Sequence, residues 1–398
     1  PAYNKVKRLR VEYQIAGRKT VRFFAEKTVL NFPADLPLPP VITRAFYEAA
    51  DGSGSLDVTG KLVKLAEPGS FSLVVGNDAL GTDPSRDHLK RLRIEFTANG
   101  KSWDKIVPEH LTLHYPTDLA PPATVPYLRK SFTVGKPLAR ATVYATALGV
   151  YELRLNGQRV GDYLLAPEWT DYAKRLRYQE YDVTSLLASG NNVLGAQVAN
   201  GWWSGHIGNG GYQYWGKSPA LFTQLELVYQ DGTSERIVTD GTWKSHVSPM
   251  LASDFMLGED YDATKEMHGW DKPGFSDSDW SDVLVRDEPA REMNGQVMEP
   301  VRQLSEIQTK ALTVPKPGKW TFDMGQNMVG VVRLKVSAAA GTRITLRHAE
   351  MLNPDGTIYT DNLRGAPSID TYVCKGGGEE IWQPKFAFHE IGRASCRE

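Results

Sequence analysis

Tyr151, Leu153 and Leu155 alternate with Glu152 and Arg154, and Asn156-Gly157 follows at once. A period of two specifies a strand with one buried face. Asn and Gly both tolerate positive φ, which a type I′ turn demands at its two central positions. Residues 158–160 then begin the return strand, so this stretch must build antiparallel hairpins. Residues 182–184 (DVT) offer short side chains that can cap one helical turn through Leu186-Leu187. Residues 192–198 form a further strand. It ends at Asn200-Gly201-Trp202-Trp203, a strand end of the kind where loops carry function.

Similar patterning recurs elsewhere. Residues 7–13 (KRLRVEY) return 83 positions later as 90–96 (KRLRIEF), with Gly17 matching Gly100, Glu26 matching Glu109 and Pro33 matching Pro116. Each copy predicts a strand with one wet face and then a hairpin turn, at Gly17 or at Asn99-Gly100. Residues 1–33 thus read as the end of one β module whose start is missing, and 34–116 as a complete second copy. Residues 117–126 hold Pro121, Pro122 and Pro126 and read as a linker. A second domain spans 127–295 and a third 296–389, the latter with an NPDG turn at 353–356. High glycine, proline and aromatic content without long helical periodicity predicts an all-β chain. Its domains are tandem β-sandwiches, jelly-roll or immunoglobulin-like.

Composition excludes some classes of partner. The chain is 41% hydrophobic with a net charge of −1, so no basic excess invites nucleic acid. No apolar run approaches the roughly 20 residues that cross a bilayer, so no membrane partner is expected. Cys374 and Cys396 are too few for a disulfide framework, and Cys374 reads as a small buried hydrophobe. The eight histidines are scattered and form no metal motif.

Four segments carry a resemblance: ALGVYELRLNGQRVGD (147–162), LAPEWTDY (165–172), YDVTSLL (181–187) and NGWWSG (200–205). Together they resemble the N-terminal region of bacterial α-L-rhamnosidases, glycoside hydrolase family 78. GEDYDA (258–263), GWD (269–271) and Trp280 match its closing segment. FDMGQNMVG (322–330), RITLRHAE (343–350), DTY (370–372) and WQPKF (382–386) match a second signature of that family. The resemblance implies a front portion of β-domains ahead of an (α/α)6 barrel, which carries the two carboxyl groups of an inverting hydrolysis. The sequence stops before such a barrel, so no catalytic residue is expected here, and the barrel of the same chain is an implied partner. Residues 390–398 (EIGRASCRE) leave the family pattern and resemble translated sequencing-adapter read-through. They are set aside from the fold.

The second domain also resembles carbohydrate-binding module family 67, which implies binding of terminal rhamnose with help from calcium. Of ten tryptophans only Trp103 precedes residue 169, and Trp faces stack on the C–H faces of sugars. Most are nonetheless expected in sandwich cores. The candidate sugar-binding residues are Asn200, Trp202, Trp203, Tyr212, Tyr214 and Trp215, the last three in the glycine-rich loop 208–216. Glu259 and Asp262 are the candidate calcium ligands, since a hard cation takes oxygen donors. Structural alternatives stand beside them: Trp202 as core, Asn200 as a turn former, Asp262 as a cap. The implied partners are rhamnose-containing glycans of plant or microbial origin, and the implied location is extracytoplasmic, periplasmic or secreted. The alternative is a self-contained rhamnose-binding, lectin-like or adhesive module.

Overall fold

The computed structural model describes residues 8–397 except 16–17, 26–39, 50–51, 89, 99–100, 117–118, 120–123, 209–210, 289–290, 364–365 and 367. The chain divides into two compact units, Pro1–Pro121 with Asp361–Ala366, and Pro122–Thr360 with Pro367–Glu398. Strands dominate both, as the alternation predicts.

In the first unit the repeat forms two antiparallel hairpins. Arg8–Ile15 pairs with Arg18–Ala25, and Lys90–Ala98 pairs with Lys101–Pro108. The expected turns at Gly17 and Asn99-Gly100 lie outside the described residues, as do 117–118 and 120–123 of the expected linker. The second hairpin extends a four-stranded sheet through Val41–Ala49 and Ser55–Asp57. Leu92, Ile94 and Phe96 point inward from alternate positions of Lys90–Ala98 and pack with Tyr47 and Leu62. Leu62 comes from an amphipathic helix, Thr59–Ala66, that the strand alternation does not predict.

The second unit contains the sandwich. One sheet orders Ser234–Val238, Ala220–Tyr229, Leu138–Leu148, Arg175–Asp182 and Glu292–Gly295. The facing sheet orders Gln158–Arg159, Val150–Leu155, Gly190–Ala199, Pro126–Val134, Lys244–Val247 and Ser281–Asp282. Val143, Ala145, Leu225 and Leu227 from the first meet Leu153, Leu155, Leu194 and Ala196 from the second in one core. Burying each Leu or Val there contributes about 1.5–3 kcal/mol. Asn156 and Gly157 take φ of +52° and +84°, as the type I′ reading requires. The Asn156 side chain then locks the turn, accepting from Val193 N at 2.9 Å and donating to Leu186 O at 2.9 Å.

A seven-stranded sheet follows, ordered Met250–Asp254, Gly258–Asp262, Ile369–Val373, Arg343–Ala349, His389–Arg397, Lys319–Gly330 and Ala311–Lys316. Its first two strands come from the stretch that the sequence places in the sandwich domain. They leave the sandwich, and Gly258–Asp262 pairs in parallel with Ile369–Val373. The sandwich and the third β-region are therefore joined by a common sheet. Residues 390–397, which the sequence reading excludes from the fold, enter it too, within the strand His389–Arg397. The slot between Lys319–Gly330 and Arg343–Ala349 offers ladder partners on both sides, and backbone N–H and C=O groups fill it whatever the side chains.

Charges close the seam. Glu152 and Arg154, on the face of their strand expected to be wet, are largely covered. Lys385 Nζ donates to Glu152 Oε1 and to Gln197 Oε1, both at 3.1 Å, while Arg154 Nε donates to Asp271 Oδ2 at 2.5 Å. Burial alone would push the Glu152 carboxyl up, but Lys385, Arg159 and Arg154 hold it below its usual range. A Lys385→Met variant should lose roughly 1–3 kcal/mol, because a buried carboxylate loses a charged donor. Glu152→Gln in the same background should recover part of that loss. Chemical denaturation of the four members of this cycle measures the coupling, and strict additivity would show that the pair contributes nothing.

Candidate functional site

The strand Gly190–Ala199 delivers Asn200 to the edge of the sandwich, and Gly201–Ser204 makes one helical turn there. This turn sends successive tryptophans in different directions. Trp203 is buried, packs edge-on against Tyr172 at 5.4 Å and donates from Nε1 to Ser218 O at 2.8 Å. Gly216 lies against its ring so closely that a Cβ would fall 2.1 Å from it. Trp202 is half-buried and stacks on Trp169 at 4.8 Å and 15°. Trp169 is 52% exposed, so its second face is open. Trp202 also meets Phe255 edge-on at 4.6 Å.

The glycine-rich loop adds a second aromatic group. Tyr214, 60% exposed, stands edge-on to Trp215 at 4.9 Å. Trp215 in turn packs against Tyr172 at 5.7 Å, and its buried Nε1 has no partner among the described residues. Tyr212 stacks on His206 at 4.7 Å, and burial pushes its hydroxyl up to about 12.

Of the six candidate sugar residues, Trp202, Tyr212, Tyr214 and Trp215 reach the rim of the sandwich, with Tyr214 the most open. Asn200 and Trp203 face inward. Asn200 is 1% exposed, accepting from Ser204 Oγ at 3.0 Å and donating to Ser253 O at 3.4 Å, which is the turn-forming alternative. Sequence reasoning misses Trp169, although it lies within the LAPEWTDY segment. Its only signal is its place in that segment, since nothing local distinguishes a stacked surface tryptophan from a core one.

Glu259 and Asp262 are not brought together. They sit three apart on one strand and so face opposite sides of it. Glu259 is buried, and its Oε2 accepts from the amides of Lys385 at 2.9 Å and Phe386 at 3.1 Å. Burial pushes its carboxyl up to about 8 despite these donors, which favours the neutral acid. Asp262 caps the turn Ala263–Lys265, accepting from Thr264 N at 3.2 Å and Thr264 Oγ1 at 2.5 Å. Two carboxyl groups so placed do not fit a shared calcium ion.

Asp254 organises the rim from beneath. Its Oδ2 accepts from His206 N and meets His206 Nδ1, both at 2.9 Å, and its Oδ1 accepts from the amides of Met256 and Leu257. Burial acts to raise this carboxyl, yet the His206 contacts and the amides hold it below its usual range.

Two family models match the chain. Residues 136–305 match the α-L-rhamnosidase N-terminal domain, and residues 313–391 match the bacterial α-L-rhamnosidase concanavalin-like domain. The chain belongs to the bacterial α-L-rhamnosidase family. An α-L-rhamnosidase of Streptomyces avermitilis is 53% identical over 255 residues, which are 64% of this chain and 25% of that protein. One from Formosa agariphila is 40% identical over 273 residues, 66% of this chain and 29% of the relative. The chain thus spans between a quarter and a third of these relatives. Among solved structures, the S. avermitilis α-L-rhamnosidase complexed with L-rhamnose superposes with a TM-score of 0.69 at 36% identity. That match covers 91% of this chain and 40% of the other. The α-L-rhamnosidase of Dictyoglumus thermophilum gives 0.67 at 25% identity, covering 94% and 44%.

The charge state of Asp254 sets the pH dependence of the rim. A depressed carboxyl contributes stability that is present above its unfolded value and lost as pH falls through the folded one. Asp254→Asn should therefore cost roughly 1–3 kcal/mol at neutral pH, since an amide nitrogen would oppose the His206 N–H. The gap from wild type should narrow as pH drops below about 4. Thermal unfolding at several pH values measures it, and a gap that widened in acid would reverse the assignment.

Proposed function

We propose that this chain is the substrate-engaging β front of an α-L-rhamnosidase. In this reading its sandwich holds the terminal L-rhamnose of a glycan, while hydrolysis takes place on a catalytic region of the same protein. The observation that carries it is the aromatic rim: Trp169, stacked on Trp202 with its outer face open, and Tyr214 standing clear of Trp215. A flat aromatic face accepts the C–H face of a pyranose, and rhamnose adds a 6-methyl group that gains from apolar contact. The kinship with a protein crystallised with L-rhamnose supports the same sugar. A protein with this role works on glycans outside the cytoplasm.

Within this proposal, any calcium requirement would rest on oxygens other than those of Glu259 and Asp262. Hydrolysis is not assigned to the acidic cluster at 259–262 either, because Glu259 and Asp262 are held by structural hydrogen bonds. The 398-residue chain is therefore expected to leave an aryl α-L-rhamnoside unhydrolysed above a buffer blank. Turnover that vanished in Glu259→Gln would place an active site at that cluster.

Titration calorimetry of the full chain with L-rhamnose tests the binding. One monosaccharide buries little area, so millimolar to high-micromolar affinity is expected, about −4 to −6 kcal/mol. Trp169→Ala should weaken binding about tenfold or more, through loss of the stacking face. Trp382→Phe, a buried change away from the rim, is the control and should leave affinity unaltered. No heat at millimolar rhamnose, with or without added calcium, would reduce the sandwich to a structural role. Binding indifferent to EDTA would keep the sugar site and remove the ion.

A further inference from the structure

His348, Asp370 and His389 are scattered in sequence and converge in space. All three are buried, at 0%, 0% and 4% exposure. Leu346 pairs with Asp370 across the seven-stranded sheet, so His348, two residues on, shares the face of Asp370. His389 enters from the start of the neighbouring strand. One nitrogen of each imidazole and one Asp370 oxygen lie within 4.8 Å of one another.

Donors and acceptors do not balance within this cluster. His348 Nδ1 lies 3.1 Å from Ser368 O, and a carbonyl only accepts, so Nδ1 carries the proton. Nε2 of the neutral ring is then a bare lone pair. It has no hydrogen-bond partner among the described residues, and it faces Asp370 Oδ2, a second acceptor, at 3.7 Å. His389 Nε2 is 3.0 Å from the same oxygen. Asp370 has no lysine or arginine within ion-pair distance among the described residues, and burying an uncompensated carboxylate is costly. A cation among these three atoms would satisfy both needs.

The outer contacts match those of metal-binding histidines, which usually anchor their far nitrogen to a carbonyl, carboxylate or other fixed group. Here Ser368 supplies both anchors, its carbonyl to His348 Nδ1 and its Oγ to His389 Nδ1 at 2.7 Å. Ser368 itself has φ of +51°, an uncommon conformation for a non-glycine residue, at the point that orients both rings. Asp370 Oδ1 is fixed by the Glu259 amide at 2.8 Å. Ligand atoms about 2.1 Å from a tetrahedral ion lie about 3.4 Å apart, and the observed 3.0 and 3.7 Å bracket that spacing.

We propose that His348 Nε2, Asp370 Oδ2 and His389 Nε2 form a binding site for a divalent first-row transition ion, zinc in particular. Two imidazole nitrogens and one carboxylate oxygen suit zinc or cobalt and not calcium, which prefers an all-oxygen shell. Binding needs His389 in the tautomer protonated at Nδ1, with the Ser368 hydroxyl turning from donor to acceptor. The ring stays neutral and no net proton is released. The rings now lie parallel, 4.0 Å apart at 11°, so one must pivot to aim both lone pairs at one ion. The site ties His389 to the strand Arg343–Ala349 and is independent of the rhamnose reading.

The test uses the full chain, stripped with dipicolinate and titrated with cobalt(II). One equivalent should bind, with intensified ligand-field absorption, contact-shifted imidazole N–H resonances from two histidines, and displacement by stoichiometric zinc but not by calcium. His348→Gln should weaken uptake by about 100-fold or more. The resonances of the wild-type protein decide the matter even if that variant fails to fold. No uptake at millimolar cobalt, displacement by calcium, or uptake unchanged in folded His348→Gln would overturn the site. None of these outcomes bears on rhamnose binding, which is read by calorimetry with the sugar.

Discussion

The second unit depends on one parallel pairing. The strand Gly258–Asp262 leaves the sandwich and lies against Ile369–Val373, a strand more than a hundred residues further along the chain. A parallel pair cannot be closed by a tight turn and needs a long connection, so this contact forms only once both regions are in place. Glu259 fixes the join at two points. Its amide donates to Asp370, and its carboxyl accepts from the amides of Lys385 and Phe386. The Lys385 side chain then reaches back to Glu152 on the sandwich. Backbone pairing, a buried carboxyl and an ion pair thus act on the same seam.

This arrangement gives the aromatic rim a rigid base. Asp254 ends the strand Met250–Asp254 of the common sheet and holds the backbone at His206, just past the Trp202-Trp203 turn. Phe255, the next residue, packs edge-on against Trp202 and also against Phe388. The stack of Trp169 on Trp202 is therefore supported by residues of the sheet as well as by the sandwich. Sites on well-supported elements hold their geometry better than sites on free loops.

Local features of the fold are legible in the sequence because their causes are local. Asn156-Gly157 takes the two positive φ values that its chemistry permits, and Tyr151, Leu153 and Leu155 bury as period two requires. The opposite face of that strand reads as wet because its cover, Lys385 and Asp271, comes from distant sequence. The site is less legible. Residue type says that Trp203 and Asn200 are useful, but only the helical turn decides that they face inward. Glu259 and Asp262 look like a ligand pair in sequence, yet strand geometry separates them. The two histidines and the aspartate around Ser368 carry no metal-binding motif, and sheet pairing brings them together.

Native-state hydrogen exchange of the full chain, read by mass spectrometry, tests the common sheet most directly. Amides of Gly258–Asp262 and Ile369–Val373 should open together with those of Val150–Leu155 and Gly190–Ala199, in one cooperative step that Lys385→Met accelerates for all four strands. Independent opening, with the sandwich strands retaining full protection after the sheet strands have exchanged, would contradict the account.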